Sequence, residues 1–502
     1  MKKTEETEFG PTRSALIAAG GVIFATYFYF LIFAEFALLE LARPILGEET
    51  WRLRGLLFSL GVGGVAGSVW GAWKFNIYRW QRQLSWALRG CAVGAVLALS
   101  GAVWPILLLA AGISGVALGA LTVILATGLR STIGTRRLGW VIGWGTGFAY
   151  AMGNVPMIFE ASARFQTGLA AVVIAAASVL SPFLAAQEPS TLDQGDYAPA
   201  GVLRWIGILL MLVWLDSAVF YLIQHHAEFQ RETWSGPGHL WANAAIHLLL
   251  AVGAGWALDR GARIAVVAAG FVLLATGTLM LGGSAGAGAG VVYAAGVSLY
   301  SVVLVYYPAR SGRGWVACSV YAVAGWLGSA LGIGMAQDLA AVPLGFLGVS
   351  AAVILMMGVW RWRALRLVTL VIGLGMVMGL PQGLASTNAA ELRGREVYIA
   401  EGCIHCHSQY VRPGTVDEER WGPAQESVGL PPLVGNRRQG PDLTTVGVRL
   451  PADWHRQHLM APRQFKPGSR MPSYAYLFSG DANRGEDLVA YLMSLGQEEE
   501  GE

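Results

Sequence analysis

Charge is what this sequence has least of. Only 13% of its 502 residues are Asp, Glu, Lys or Arg, where soluble domains carry about 25%. Cysteine is scarce as well, with four in all. A hydrophobic share of 54% beside so little charge excludes a disordered chain, a nucleic-acid binder and a single soluble enzyme. The charge is also uneven. Residues 386–502 hold 16 of the 32 acidic and 12 of the 35 Lys and Arg residues. The net charge of +3 therefore joins a body at +7 to a tail at −4.

What fills the body is long apolar runs. A bilayer crossing takes about 20 apolar residues in a helix. Thirteen such runs are legible, at about 14–38, 55–73, 88–104, 106–129, 138–158, 167–187, 202–223, 238–257, 263–282, 286–307, 315–336, 342–359 and 366–385. The first is too long for a cleaved signal and lacks a small-residue cleavage site. Alternate loops collect the basic residues, among them Lys74, Arg79, Arg82 and Arg89, then Arg130, Arg136 and Arg137, then Arg310 and Arg313. Arg43, Arg52 and Arg54 are the exception. The positive-inside rule puts the N-terminus in the cytoplasm, and an odd number of crossings puts the tail on the outer, periplasmic side.

The first twelve runs fall into two sets of six, joined by the acidic loop Gln187–Pro199. The loop after the eighth run, Gly255-Trp-Ala-Leu-Asp259-Arg260-Gly261-Ala-Arg263, resembles the G-x-x-x-D-R-x-G-R signature of the major facilitator superfamily. The matching stretch of the first set, Gly67–Lys74, keeps the glycines and lacks the Asp-Arg pair. Arg137-Leu-Gly-Trp-Val and Arg313-Gly-Trp-Val each open a Gly-rich run, and Gly faces allow close backbone approach in lipid. The resemblance spans residues 14–360 and implies a transporter-type bundle built on repeats.

Polar groups within the apolar runs are costly and mark function or helix-to-helix hydrogen bonds. The candidates are Glu35, Asn154, Asp216, Asn243 and His247. His225 and His226 sit at a helix end, as a metal pair or as interfacial residues. Met152, Met157, Met211, Met335, Met356 and Met357 are scattered, with no tight Met-x-x-x-Met array, and methionine is common gap-filling material.

Cys91 and Cys318 stand alone in apolar helices and read as packing residues. Cys403-Ile-His-Cys406-His407 is C-x-x-C-H, the attachment motif of c-type haem. Two thiols at this spacing bond one edge of the porphyrin, and the next residue, His407, falls under the iron. A redox dithiol or half a zinc site uses the same spacing. Met471, in Arg470-Met471-Pro472-Ser473-Tyr474, is the best second axial ligand because a Pro-bounded loop can hold a thioether against iron. Met460, Met493, His455 and His458 are alternatives, with His455 and His458 on an expected helix over Pro451–Leu459. Helices are also expected over Glu391–Ala400 and Glu486–Leu495, the second packing back on the first.

Four blocks in order, Gly394–Pro413 around the haem motif, Gly440–Arg449, Asp453–Leu459 and Met471–Tyr474, resemble the mono-haem cytochrome c subunit of cbb3-type cytochrome oxidases. The resemblance implies an electron carrier with Cys403 and Cys406 as thioether positions, His407 and Met471 as axial ligands, and Pro441 accepting the His ring proton. It also implies haem-copper oxidase subunits or another cytochrome c as partners, besides membrane lipid. The stretch Gly414–Gln439 matches no block.

The fold class expected is all-α. A polytopic membrane bundle of twelve plus one transmembrane helices, in two six-helix repeats, is fused to a small all-α cytochrome c domain. The expected parts are a major-facilitator-like domain over 1–360, an anchor helix in 361–388 and a mono-haem domain over 389–502. The function expected is a membrane-anchored carrier of single electrons through one covalent haem c, an electron-transfer subunit rather than an independent catalyst, set in the inner membrane. The alternative is a major-facilitator transporter of a metal or small solute, gated by the attached haem.

Overall fold

The computed structural model describes residues 11–46, 50–100, 103–185, 197–281, 288–339, 341–358, 389–411, 416–421, 433–434, 439–479 and 484–496. The chain divides into two compact units, Met1–Leu380 and Pro381–Glu502.

Among the described residues of the first unit, ten helices are long and apolar enough to cross a membrane. They are α1 (Arg13–Ile45), α2 (Trp51–Lys74), α3 (Trp80–Ser100), α4 (Trp104–Ile133), α6 (Ala163–Phe183), α7 (Pro199–His225), α8 (Gly236–Asp259), α9 (Arg263–Met280), α10 (Gly288–Ser311) and α11 (Gly314–Leu339). Shorter helices include α5 (Leu138–Gly153) and α12 (Leu344–Gly358). The run expected over 138–158 breaks early, because Pro156 forces the residue before it out of the helical region. Val155 is extended, and Pro156–Phe159 restarts as a separate turn. The run at 366–385 lies outside the described residues.

Glycine decides how the helices pack. A side-chain carbon on Gly119 of α4 would stand 2.0 Å from the Gly64 carbonyl of α2, and one on Gly67 would stand 2.0 Å from the Val116 carbonyl. The second such crossing joins α5 to α8, where Gly255 would meet the Gly139 carbonyl at 2.1 Å. Small residues allow this approach, and dispersion between the backbones holds the pair in lipid.

The Asp-Arg loop has a local task. The Asp259 carboxylate accepts the Gly139 N–H at 2.7 Å and the Trp140 N–H at 2.9 Å, capping the first turn of α5. An anion there satisfies orphan donors and meets the positive end of the helix dipole. Gly261 turns the chain after it at φ +87°, a conformation that favours glycine.

The regular elements among the described residues of the second unit are all helices. Helices α13 (Ala389–Ala400) and α16 (Arg484–Ser494) cross so closely that a side-chain carbon on Gly394 would stand 1.9 Å from the Asp487 carbonyl. Arg393 grips the Asp487 carboxylate with two hydrogen bonds of 2.8 and 2.7 Å. Tyr398 lies edge-on to Tyr491. Between the helices sits an apolar core of Val397, Tyr398, Leu488, Tyr491 and Leu492, which Cys403, Leu459 and Tyr474 extend. Helix α14 is the single turn Cys403–Cys406, and α15 is Ala452–Met460.

Candidate functional site

The motif in the tail is set by the turn before it. Gly402 closes α13 at φ +72°, and the chain then makes one helical turn that carries Cys403 and Cys406 on one side. His407 leaves this turn extended, with its N–H on the Cys403 carbonyl at 3.0 Å. Burial pushes the Cys403 thiol up to about 11.

His407 Nδ1 lies 2.9 Å from the Pro441 carbonyl. A carbonyl only accepts, so Nδ1 carries the ring hydrogen and Nε2 keeps its lone pair. Burial holds the His407 pKa below its ordinary value, which favours that neutral ring. Gly440 lies flat against the imidazole, where a side-chain carbon would come within 2.2 Å of Cε1. The two strands of chain are pinned together here. Gly440 N–H donates to the Cys406 carbonyl at 2.9 Å, and Leu443 N–H to the Ser408 carbonyl at 2.8 Å. Asp442 is buried, and its carboxylate accepts the Thr444 hydroxyl, the Thr444 N–H and the Tyr410 N–H. Thus Cys403, Cys406, His407 and Pro441 come together. Gly440 and Asp442 were not singled out in the sequence, because their contacts cross about 30 positions.

Met471 is half-buried and packs against the apolar core that holds Cys403. Its loop is tied to α15 by Ser473 Oγ on the Met460 carbonyl at 2.6 Å and by Tyr474 N–H on the Leu459 carbonyl at 2.8 Å. Of the alternative ligands, His458 stacks on Trp454, His455 is buried beneath α15, and Met493 packs on the core from α16. Among the described residues, no three His, Cys, Asp or Glu side chains are grouped to hold a metal ion. The pattern fits instead a flat group fixed by two thiols, with one imidazole and one thioether for its metal.

The membrane unit brings its polar candidates together as well. Glu35, Asn154, Asp216, Asn243 and His247 all line one cavity of ≈ 840 Å³. Asp216 accepts hydrogen bonds from Tyr293, at 2.6 Å, and from Tyr300. These tyrosines stand two turns apart on α10, a spacing that was legible but not read. The His247 ring stacks on Tyr150, with centroids 4.4 Å apart. His225 also lines the cavity, stacked on Tyr221, while His226 lies against Phe229. Of the scattered methionines, Met211 is buried while Met152 and Met157 are exposed. Among the described residues, no methionine lines the cavity. The side chains of Met356 and Met357 lie outside the described residues.

Comparison with known proteins separates the two units in the same way. No curated protein matches the chain. The crystal structure of the human organic anion transporter MFSD10 (TETRAN) is similar at a TM-score of 0.51 and 12% identity, over 69% of this chain and 98% of that one. That of FucP, a major facilitator superfamily transporter in the outward conformation, is similar at a TM-score of 0.45 and 14% identity, over 69% and 99%. Residues 377–493 match the family model described as cytochrome C oxidase, mono-heme subunit/FixO. The chain is a multi-pass membrane protein with a major-facilitator fold, and its C-terminal part is similar to the mono-haem subunit of cytochrome oxidases.

Proposed function

We propose that the tail carries one covalently attached haem c and passes single electrons within a respiratory chain that feeds a haem-copper oxidase of the cbb3 kind. The observation that carries this reading is the His407–Pro441 hydrogen bond beside the Cys403–Cys406 turn, in a stretch that matches a mono-haem subunit. The bound group would supply a reversible one-electron couple. The chain's own residues do the rest. Cys403 and Cys406 would hold the group through their thiols, Gly440 leaves room against the imidazole, and Pro441 accepts the Nδ1 hydrogen so that Nε2 keeps its lone pair for the metal. Met471 would supply a thioether to the metal of the bound group, which would raise the potential and keep small ligands out. No general acid, base or nucleophile is required, so the domain is an electron-transfer subunit. The loop charges support a cytoplasmic N-terminus in the inner membrane, and an odd number of crossings would put the tail on the outer side.

The test is spectroscopic. The purified full chain should give a low-spin c-type spectrum in the reduced-minus-oxidised difference, and carbon monoxide should leave it unchanged. Met471→Leu should admit carbon monoxide. A native chain that binds carbon monoxide as readily as the variant would remove Met471 from the ligand set, and a chain matured without haem would remove the reading itself. Co-purification with haem-copper oxidase subunits in mild detergent tests the partner. A second reading, a solute carrier, is favoured by the cavity in the membrane unit.

A further inference from the structure

We propose that the membrane cavity binds an organic ammonium ion with an aromatic or similarly apolar body. The reason lies in where the hydrogens are. Asn154 gives its amide hydrogen to the Tyr150 carbonyl at 2.9 Å, and Asn243 gives its own to the Thr233 carbonyl at 2.9 Å. Each amide keeps its oxygen as an acceptor and its second hydrogen as a donor. Ser298 donates to the Ala294 carbonyl at 2.7 Å, so its 2.8 Å contact with His247 Nδ1 is a hydrogen bond from the imidazole. His247 Nε2 then presents a lone pair, and it has no partner among the described residues. His247 is 6% exposed. The Glu35 carboxylate also has no hydrogen-bond or ion-pair partner among the described residues.

Several of the hydroxyls in the lining are committed elsewhere. Tyr293 and Tyr300 donate to Asp216, Tyr27 donates to the Ser301 carbonyl at 3.2 Å, and Tyr150 shares a bond with the Ser301 hydroxyl. Arg54, the guanidinium in the lining, is exposed, whereas Glu35 and Asp216 are not. The cavity thus sets two carboxylates beside an imidazole nitrogen and two amide oxygens, and the guanidinium in its lining is exposed. Charge held in an apolar setting is costly until it is neutralised and hydrogen-bonded. A ligand with a positive charge and N–H donors supplies both.

The rest of the lining selects the body of that ligand. Phe36, the residue after Glu35, stands edge-on to Phe159, Phe220 and Trp234, with centroids 5.4 to 5.7 Å apart. All four rings line the cavity, and aromatic faces attract cations. The volume lies in the range of small-molecule sites. Two π-helical segments, Phe30–Ala37 and Val320–Leu327, each send residues to the lining, and such segments are frequent at functional sites. The likeness to an organic anion transporter shows only the fold at 12% identity, and two carboxylates repel an anion.

This inference rests on the carrier reading only in that the cavity takes a solute. Calorimetry on the purified full chain in detergent tests it, with phenethylammonium as probe and phenylacetate as its anionic counterpart. Phenethylammonium should bind with a Kd below about 1 mM, and phenylacetate should not. Glu35→Gln should weaken binding about tenfold without moving the thermal midpoint, since that carboxylate has no partner to lose. Asp216→Asn should weaken it as well. No binding of phenethylammonium at about 10 mM, equal binding of phenylacetate, or unchanged affinity in both variants would each overturn the proposal. Binding without uptake into proteoliposomes would remove the carrier reading and leave the site standing.

Discussion

Gly440→Ala puts the haem reading under direct load. Gly440 does not adopt a positive φ, so alanine brings no backbone strain and acts only through its methyl group. That carbon would stand 2.2 Å from His407 Cε1 and 2.5 Å from Nδ1, where ordinary contact begins at 3.4 Å. The ring must therefore retreat by about 1 Å. Its 2.9 Å bond to the Pro441 carbonyl then stretches beyond hydrogen-bond range. A free histidine would swing aside at little cost. One held by iron at Nε2 and by Pro441 at Nδ1 cannot. The Pro441 bond makes the imidazole a stronger donor to the metal, which favours the ferric state, so its loss raises the midpoint potential. A net hydrogen bond is worth about 0.5–1.5 kcal/mol, which corresponds to about 20–65 mV for one electron. Redox titration of the full chain should show that rise, with Gly468→Ala, which meets nothing within 4 Å, as the unshifted control. A potential within about 10 mV of the parent, with an unaltered low-spin spectrum, would refute the placement of His407 against iron.

Gly394→Ala should gain about 1 kcal/mol of helix propensity and still destabilise the tail by about 2 kcal/mol net, because its methyl meets the Asp487 backbone and forces α13 from α16. Thermal unfolding followed at the haem absorbance would read this, and a stabilised variant would mean that the crossing is looser. Gly119→Ala in α4 should lower the thermal midpoint in detergent, whereas Gly61→Ala, which meets nothing within 4 Å, should not; equal midpoints would count against the tight α2–α4 crossing. Burial holds the pKa of both His455 and His458 below the ordinary value. Their neutral forms therefore stabilise the fold fully above about pH 6.5, and this is lost as pH falls from there through the folded values. The midpoint of the tail should be level above about pH 7 and fall below about 6.5, with His455→Asn flattening the fall; a midpoint indifferent to acid would contradict the buried neutral ring.

The legible parts of this chain are those in which the chemistry sits on neighbouring residues. Cys403, Cys406 and His407 announce themselves within five positions, and the Gly440-Pro441 block carried the resemblance that named an acceptor. Helix existence followed from run length, and the early end of α5 was available in Pro156 had the rule for the preceding residue been applied. The contacts that shape the sites were not legible. Gly440 matters because it lies flat on a ring 33 positions earlier, and Asp259 because it caps a helix 120 positions before it. Neither distance leaves a local pattern. The π-helical turns that present Glu35 and Trp326 have no proline to betray them.

The cavity shows what separates a list of costly residues from a site. From sequence, Glu35, Asn154, Asp216, Asn243 and His247 were five separate expenses, each explicable as a helix-to-helix hydrogen bond. The structure gives Asn154 and Asn243 such bonds, and they still leave one amide oxygen each. Asp216 is answered by two tyrosines, Glu35 by nothing among the described residues. Had the five been mere packing devices, donors and acceptors would balance, as they nearly must where polar groups are buried. What stays unanswered among the described residues is the Glu35 carboxylate and His247 Nε2, and Asp216 adds a second carboxylate to the same chamber. In the tail His407 Nε2 is left as an acceptor next to two thiols, which suits a metal. Acceptors spread over a wide aromatic chamber suit a cation with hydrogens of its own.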